Sequence, residues 1–228
     1  MKWLRLTLIL LFVTANGRNS FAAEVDMQLV LAIDVSSSVN WDEYNLQMRG
    51  IANAFRDDLV IDAIQASPRG RISVAATHWA GVGEQKTIVD WQLIASPEDA
   101  HAFADRLDQV PRAFPYGGTN IAGALDHASL LFARDSNISI RQVIDISGDG
   151  SVSVGPPPEA SRNRVVSRGI VINGLPILND EPGLETYYRE HVIGGFGAFT
   201  LVAQGYEDFA EAMAEKLAKE IRGNWQGV

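Results

Sequence analysis

The sequence predicts an α/β fold, with a mostly parallel sheet and helices on both faces. Three observations lead there. Apolar runs of strand length alternate along the chain with segments whose apolar residues recur at helical spacing. The first run, Met27 to Ile33, is nearly continuous in apolar residues, as a strand covered on both sides requires. No internal repeat or low-complexity tract breaks the alternation, so 228 residues, 46% hydrophobic and 21% charged, read as one domain with a sizeable core.

The N-terminus stands outside that core. Lys2 and Arg5 lead an apolar run reaching Ala15, followed by polar Asn16 to Ser20 and then Phe21, Ala22 and Ala23. A basic start, a short apolar stretch and small residues at Ser20 and Ala22 describe a secretory signal peptide over residues 1–22, cleaved after Ala22 or Ala23. The run is short for a bilayer span, and no later segment has the apolar length of one, so no membrane insertion is expected once the leader is removed. The folded domain is expected over residues 25–222, with 223–228 a short tail. The sequence has no cysteine, which excludes a disulfide framework and thiolate metal ligands and suits a periplasmic or secreted bacterial protein. A formal net charge of −9 disfavours nucleic acid and anionic lipid as partners.

After the first strand, Asn40 reads as an N-cap with Glu43 at the third helical position, and Tyr44, Met48, Ile51, Phe55 and Leu59 continue a helix to about Leu59. Arg71 to Trp79 is a second strand, and Lys86 to Ile94 alternates like an edge strand across the Gly81-Val82-Gly83 turn. Ser96-Pro97-Glu98-Asp99 starts a helix with cap, proline and acids in the first turn. A loop from Pro111 to Gly118 precedes a helix carrying Ile121, Leu125 and Ala128. The fourth strand, Gln142 to Ile146, ends in Ser147-Gly148-Asp149-Gly150, and Pro156-Pro157-Pro158 marks a loop before a short helix. Ile170 to Leu175 and Ala198 to Ala203 complete six strands, and Tyr206, Phe209, Met213, Leu217 and Ile221 stripe a closing helix. Asn179 to Gly197 is the one long irregular stretch.

Ligands of open α/β sheets bind beyond the carboxyl ends of the strands. Three segments place oxygen-bearing side chains there: Asp34, Ser36 and Ser38 after the first strand, Thr119 in the Gly117-Gly118-Thr119-Asn120 turn, and Asp149 after the fourth. All are hard oxygen donors, which favours Mg²⁺ or Mn²⁺ over Ca²⁺. Asp-x-Ser-x-Ser alone is weak, since chance supplies it in roughly one chain in twenty of this length at ordinary residue usage. The three segments together are specific.

Together they resemble the metal-ion-dependent adhesion site of von Willebrand factor A domains, over about residues 25 to 222. The resemblance implies a Rossmann-like, doubly wound sheet of the six strands with one antiparallel edge strand. It also implies that Ser36, Ser38 and Thr119 meet the metal directly, that Asp34 and Asp149 bind directly or through water, and that one coordination position stays open. Most members carry a small residue or threonine directly before the Asp-Gly pair; here Gly148 stands between Ser147 and Asp149. This variant, with residues 187–195, resembles a group of secreted bacterial members labelled a domain of unknown function. A metal with few directly bound charges stays electrophilic, and a carboxylate brought by a partner protein would fill its open position.

Other readings fit less well. Residues 145–150 superficially match an EF-hand loop, but its twelfth position is Pro156 and a strand precedes it. There is no phosphate-binding loop and no serine-hydrolase elbow, and position 36, where an aspartyl nucleophile would usually need a second acid, is serine. Tyr187, Tyr188 and His191 are candidates for a recognition rim, against the simpler reading that the tyrosines pack the loop onto the core. The expected function is a non-enzymatic module that captures an acidic group of a protein partner through a bound divalent cation, Mg²⁺ first. The alternative is a hydrolase or phosphatase using the same ion as Lewis acid.

Overall fold

The computed structural model describes residues 22–223. Save for Ala22 and Gly223, the expected leader and tail lie outside the described residues. Five strands form one sheet in the order β3-β2-β1-β4-β5: β1 Met27–Asp34, β2 Ile72–Trp79, β3 Gln85–Ile94, β4 Gln142–Gly148 and β5 Val171–Pro176. Only β3 runs antiparallel. Six strands were expected, and the sheet has five. Ala198 to Ala203 lies beside β5 but joins it only through isolated bridges, Gly174 to Thr200 and Ile177 to Ala203. Pro176 accepts a hydrogen bond from Ala203 N at 3.1 Å yet has no N–H to return, which breaks the ladder there.

The helices are α1 Trp41–Arg56, α2 Asp58–Gln65, α3 Pro97–Asp108, α4 Ile121–Leu131, α5 Glu159–Ser167, α6 Leu184–Tyr187 and α7 Phe209–Arg222. α1 opens with the expected capping box: Asn40 Oδ1 accepts from Glu43 N at 3.0 Å, and Glu43 Oε2 accepts from Asn40 N at 2.7 Å. It stops before Leu59, because Asp57 turns extended (ψ 132°) and its carboxylate accepts from Leu59 N at 2.8 Å, capping a second helix. The stretch expected to be irregular contains α6, continued by a wide helical turn over Tyr188–Val192.

β1 is buried along its whole length. Leu29, Leu31 and Ile33 face one helical layer with Ile51 and Phe55 of α1, Phe103 of α3 and Leu217 of α7. Val30 and Ala32 face the other, with Leu125 and Ala128 of α4 and Val165 of α5. Each buried aliphatic or aromatic side chain contributes about 1.5–3 kcal/mol, so two covered faces fix the central strand and therefore where its last residue, Asp34, emerges.

α7 is also tied to the sheet by charge. Lys216, fully buried, ion-pairs with Asp145 of β4 and with Glu220 one turn on. Asn173 of β5 donates to Glu220 Oε1 at 2.9 Å and accepts from Phe199 N at 3.0 Å. Two acids share one ammonium, so burial and then the Glu220 charge push the Asp145 carboxyl up to about 7. Burial works against the Lys216 charge, and the two acids more than offset it.

Replacing Lys216 by Met should strand both acids and cost about 3–5 kcal/mol at neutral pH. Their folded-state affinity for protons then exceeds that of the unfolded chain, so the deficit should grow as pH rises and shrink towards pH ~4. Urea unfolding of both proteins at the two pH values checks this; a pH-independent deficit contradicts it.

Candidate metal centre

The strand order reverses between β1 and β4, because the chain runs outward from β1 through β2 to β3 and separately from β4 to β5. That is the switch point where α/β sheets open a crevice at their carboxyl edge. Asp34 ends β1 on one side of it, and Asp149 follows β4 on the other. The sequence-predicted donors meet there. Asp34 Oδ1 accepts from Ser36 N at 2.7 Å, Ser36 Oγ lies 3.2 Å from Ser38 Oγ, and Ser38 Oγ donates to Asp149 Oδ1 at 2.7 Å. Ser38, Thr119 and Asp149 line one cleft of about 440 Å³ together with Gly118, Asp180 and Glu181.

Several residues without a sequence signal hold this arrangement. Arg112 Nη2 donates to the carbonyls of Val35 (2.9 Å) and Ser36 (2.8 Å), pinning the loop after β1 from below. Gln47 of α1 donates to Asp34 O at 2.8 Å, and Ser147 donates to Gln47 Oε1 at 3.4 Å, so Ser147 belongs to this brace. The loop is joined to the Gly-Gly turn by Ser37 N donating to Gly117 O and Gly117 N donating to Ser37 Oγ, both at 2.8 Å. Gly117 sits at φ +144°, where a side chain would be strained. Ser153 accepts from Thr119 N at 2.8 Å and fixes the turn from the cleft wall. Tyr206 donates to Asp149 Oδ2 at 3.1 Å.

With Gly148 before it, Asp149 stays within hydrogen-bond reach of Ser38, at 2.7 Å. A Cβ at position 148 would come within 2.7 Å of Asp34 Oδ2 and 2.8 Å of the Tyr188 hydroxyl, so the glycine lets both approach the crevice floor. Tyr188 is fully buried, in the core layer with Leu184 and Val192, as the packing reading has it, and it cannot serve as an exposed rim. Tyr187 is half-buried, its hydroxyl accepting from Val152 N at 3.4 Å, and its ring lies 4.9 Å from that of His191. His191 Nδ1 contacts Glu159 of α5 at 2.7 Å. Of the acids lining the cleft besides Asp149, Asp180 is exposed and Glu181 half-buried, and Tyr116, next to Gly117 in the chain, is 78% exposed.

The electrostatics of the crevice are one-sided. Burial and then the neighbouring Asp149 charge push the Asp34 carboxyl up to about 8. Burial likewise raises Asp149 despite hydrogen bonds from Ser38 and Tyr206. Among the described residues neither acid has an ion-pair partner, and Asp34 Oδ2 is buried without any hydrogen bond. No group of three or more His, Cys, Asp or Glu is placed to hold a metal among those residues; here two carboxylates would be supplemented by hydroxyls. This donor set fits a hard divalent cation: oxygen only, two buried carboxyl groups lacking an ion-pair partner, and one carboxyl oxygen without a hydrogen bond.

Comparison with known proteins agrees with the architecture. The family described as Protein of unknown function (DUF1194) matches residues 24–225. No curated protein matches the chain. Among solved structures, proximal thread matrix protein 1 of the mussel byssus aligns with a TM-score of 0.61 at 16% identity, covering 88% of this chain and 49% of that one. A further structure of that protein, with a zinc-occupied MIDAS motif, aligns with a TM-score of 0.58 at 16% identity over 88% of this chain and 48% of that one. A von Willebrand factor type A protein from Catenulispora acidiphila gives 0.60 at 18% identity over 87% and 43%. The pilus adhesin SpaC of Lactobacillus rhamnosus GG gives 0.64 at 13% over 90% and 32%. The chain thus has the von Willebrand factor A fold and spans at most about half the length of these proteins.

Replacing Arg112 by Ala should free the loop after β1, removing three charge-assisted hydrogen bonds, two of them to that loop, and lower stability by at least about 1.5–3 kcal/mol, the contribution of one such bond. Thermal unfolding should fall accordingly, and an unchanged melting temperature would show that the loop holds itself.

Proposed function

The chain belongs to the family described as Protein of unknown function (DUF1194), and from that premise we propose that it is an exported, metal-dependent protein-binding module. Ser36, Ser38 and Thr119 would hold a divalent cation, Mg²⁺ first and Mn²⁺ or Ca²⁺ second, with Asp34 and Asp149 direct or through water. A carboxylate of the partner protein would complete the coordination. The observation that carries this reading is the buried pair of carboxylates at the β1/β4 crevice with no cationic side chain paired to either. Bound there, the cation supplies an electrophilic centre open to the cleft. The chain's own residues do the rest: Arg112 and Gln47 fix the loop that carries the hydroxyls, and Tyr206 and Ser38 orient Asp149.

A binding role is favoured over catalysis because no histidine lines the cleft among the described residues. His78 is fully buried, and burial lowers it to about 3. His127 contacts Thr87 at 3.4 Å, and His191 is engaged by Glu159. The adhesin and matrix proteins with this fold are in keeping with an interaction role outside the cytoplasm, which the leader-like N-terminus also suits.

Mg²⁺ or Mn²⁺ should raise the melting temperature of the protein, by about 2.7 kcal/mol of stability at a hundredfold excess over Kd. Asp34→Asn keeps the oxygen that Ser36 N donates to and removes a carboxyl whose charged form burial penalises. The variant should therefore melt no lower than the parent without metal and lose the metal-induced rise. A variant that still responds to metal would remove Asp34 from the site.

A pulldown from cell extract should recover a partner that EDTA releases and that Asp149→Ala fails to capture. Turnover of phosphoesters abolished by the same substitution would instead establish the hydrolase reading.

A further inference from the structure

A second built site lies at the opposite, amino edge of the parallel strands. Ala23 and Val25 run beside the segment after α4: Ile138 N donates to Ala23 O at 2.9 Å, and Val25 N donates to Ile138 O at 2.9 Å. The backbone nitrogen of Ala23 donates to Asn137 Oδ1 at 3.2 Å. That oxygen is fixed in place. Asn137 Nδ2 donates to Ser73 Oγ (3.2 Å) and Asp135 Oδ1 (3.0 Å), while Gln28 Nε2 donates to Asp135 Oδ2 (2.9 Å) and to Asn137 O (3.1 Å). Ala23 and Asn137 line a cleft of about 380 Å³ with Asp90 and Trp91 of β3, Arg134 and Asp135.

A peptide nitrogen has one hydrogen, and Asn137 takes it. A nitrogen ending the chain has three and a positive charge, and this cleft is lined by two acids, Asp135, which accepts from Asn137 and Gln28, and the exposed Asp90, against one guanidinium. Ala22, one residue earlier, is exposed, and among the described residues no hydrogen bond holds it. Cleavage after Ala23 would discard the residue whose N–H and C=O make the contacts to Asn137 and Ile138, whereas cleavage after Ala22 keeps both.

We infer that the Ala22–Ala23 bond is the processing site and that the Asn137/Asp135/Asp90 cleft is an ammonium pocket for the N-terminus so created. The step is hydrolysis by a leader peptidase of the export pathway. One water is consumed, the amide breaks, Ala22 leaves with the new carboxylate, and Ala23 keeps its nitrogen as an ammonium, charged below pH of about 7.7–8.0. The mature N-terminus then closes the amino edge of the sheet. The inference rests on the export reading and is independent of the metal centre.

The test begins with the full chain expressed in a bacterium that exports it, followed by N-terminal sequencing and intact mass of the recovered protein. A start at Ala23 is expected. A start at Glu24 would overturn the assignment, and a start at Met1 would sink it together with the export reading. The second arm compares folded protein that begins at a free Ala23 with the same protein carrying one extra serine before it. The extended form should melt several degrees lower, and Asp90→Asn should narrow the gap by lowering only the free-amine form. Equal melting of the two forms would overturn the ammonium pocket. Neither arm uses metal, so its failure is distinguishable from failure of the binding reading.

Discussion

The crevice between β1 and β4 depends on one electrostatic constraint: two acids are held out of water, near each other, with no positive side chain paired to either. Burying a carboxylate unpaired is costly, and burying two side by side costs more. A chain selected for stability alone would place an arginine or lysine between them. This one has Arg112 close by and spends its guanidinium on backbone carbonyls, leaving both carboxylates without an ion-pair partner among the described residues, Asp149 on the cleft wall and Asp34 fully buried. The packing of β1 on both faces, the brace from Gln47 and the joined loops at Ser37 and Gly117 keep that arrangement from relaxing.

The opposite arrangement stands in the middle of β4. There Asp145, four residues before Asp149, meets Lys216 and shares it with Glu220. β4 therefore carries an acid with a built-in counter-ion and is followed by an acid without one. The contrast separates a structural ion pair, which fixes the closing helix, from a buried acid without a counter-charge.

Much of the fold was legible because the period of apolar residues is set by burial, and both faces of this sheet are buried. The capping box at Asn40 and the start at Ser96 were legible because they are local chemistry. The break at Asp57 was not, since the apolar stripe runs through it and only the competing cap ends the helix. The sixth strand failed on Pro176, a single missing donor on its partner. At the candidate site the motif positions Asp34, Ser36, Ser38, Thr119 and Asp149 were readable because they follow strand ends or open a helix. Arg112, Gln47, Ser153 and Tyr206 were not, because their partners are backbone atoms or motif acids far along the chain, and such pairings leave no spacing to read. The tyrosine pair showed the limit of composition: two aromatic neighbours in one loop, of which one is core and one half-buried.

Gly148 and Tyr188 lie forty residues apart in sequence, yet each sets the other's size. The tyrosine hydroxyl occupies the space into which a side chain at 148 would project, and Asp34 closes the remainder. A larger residue at 148 would have to displace Asp34 Oδ2 as well as the Tyr188 hydroxyl, so a shorter residue at 188 does not by itself make room for one. Transplanting the three-part motif into another chain of this fold, or out of this one, is accordingly a four-part operation, with the loop that supplies Tyr188 travelling along with the acids and hydroxyls.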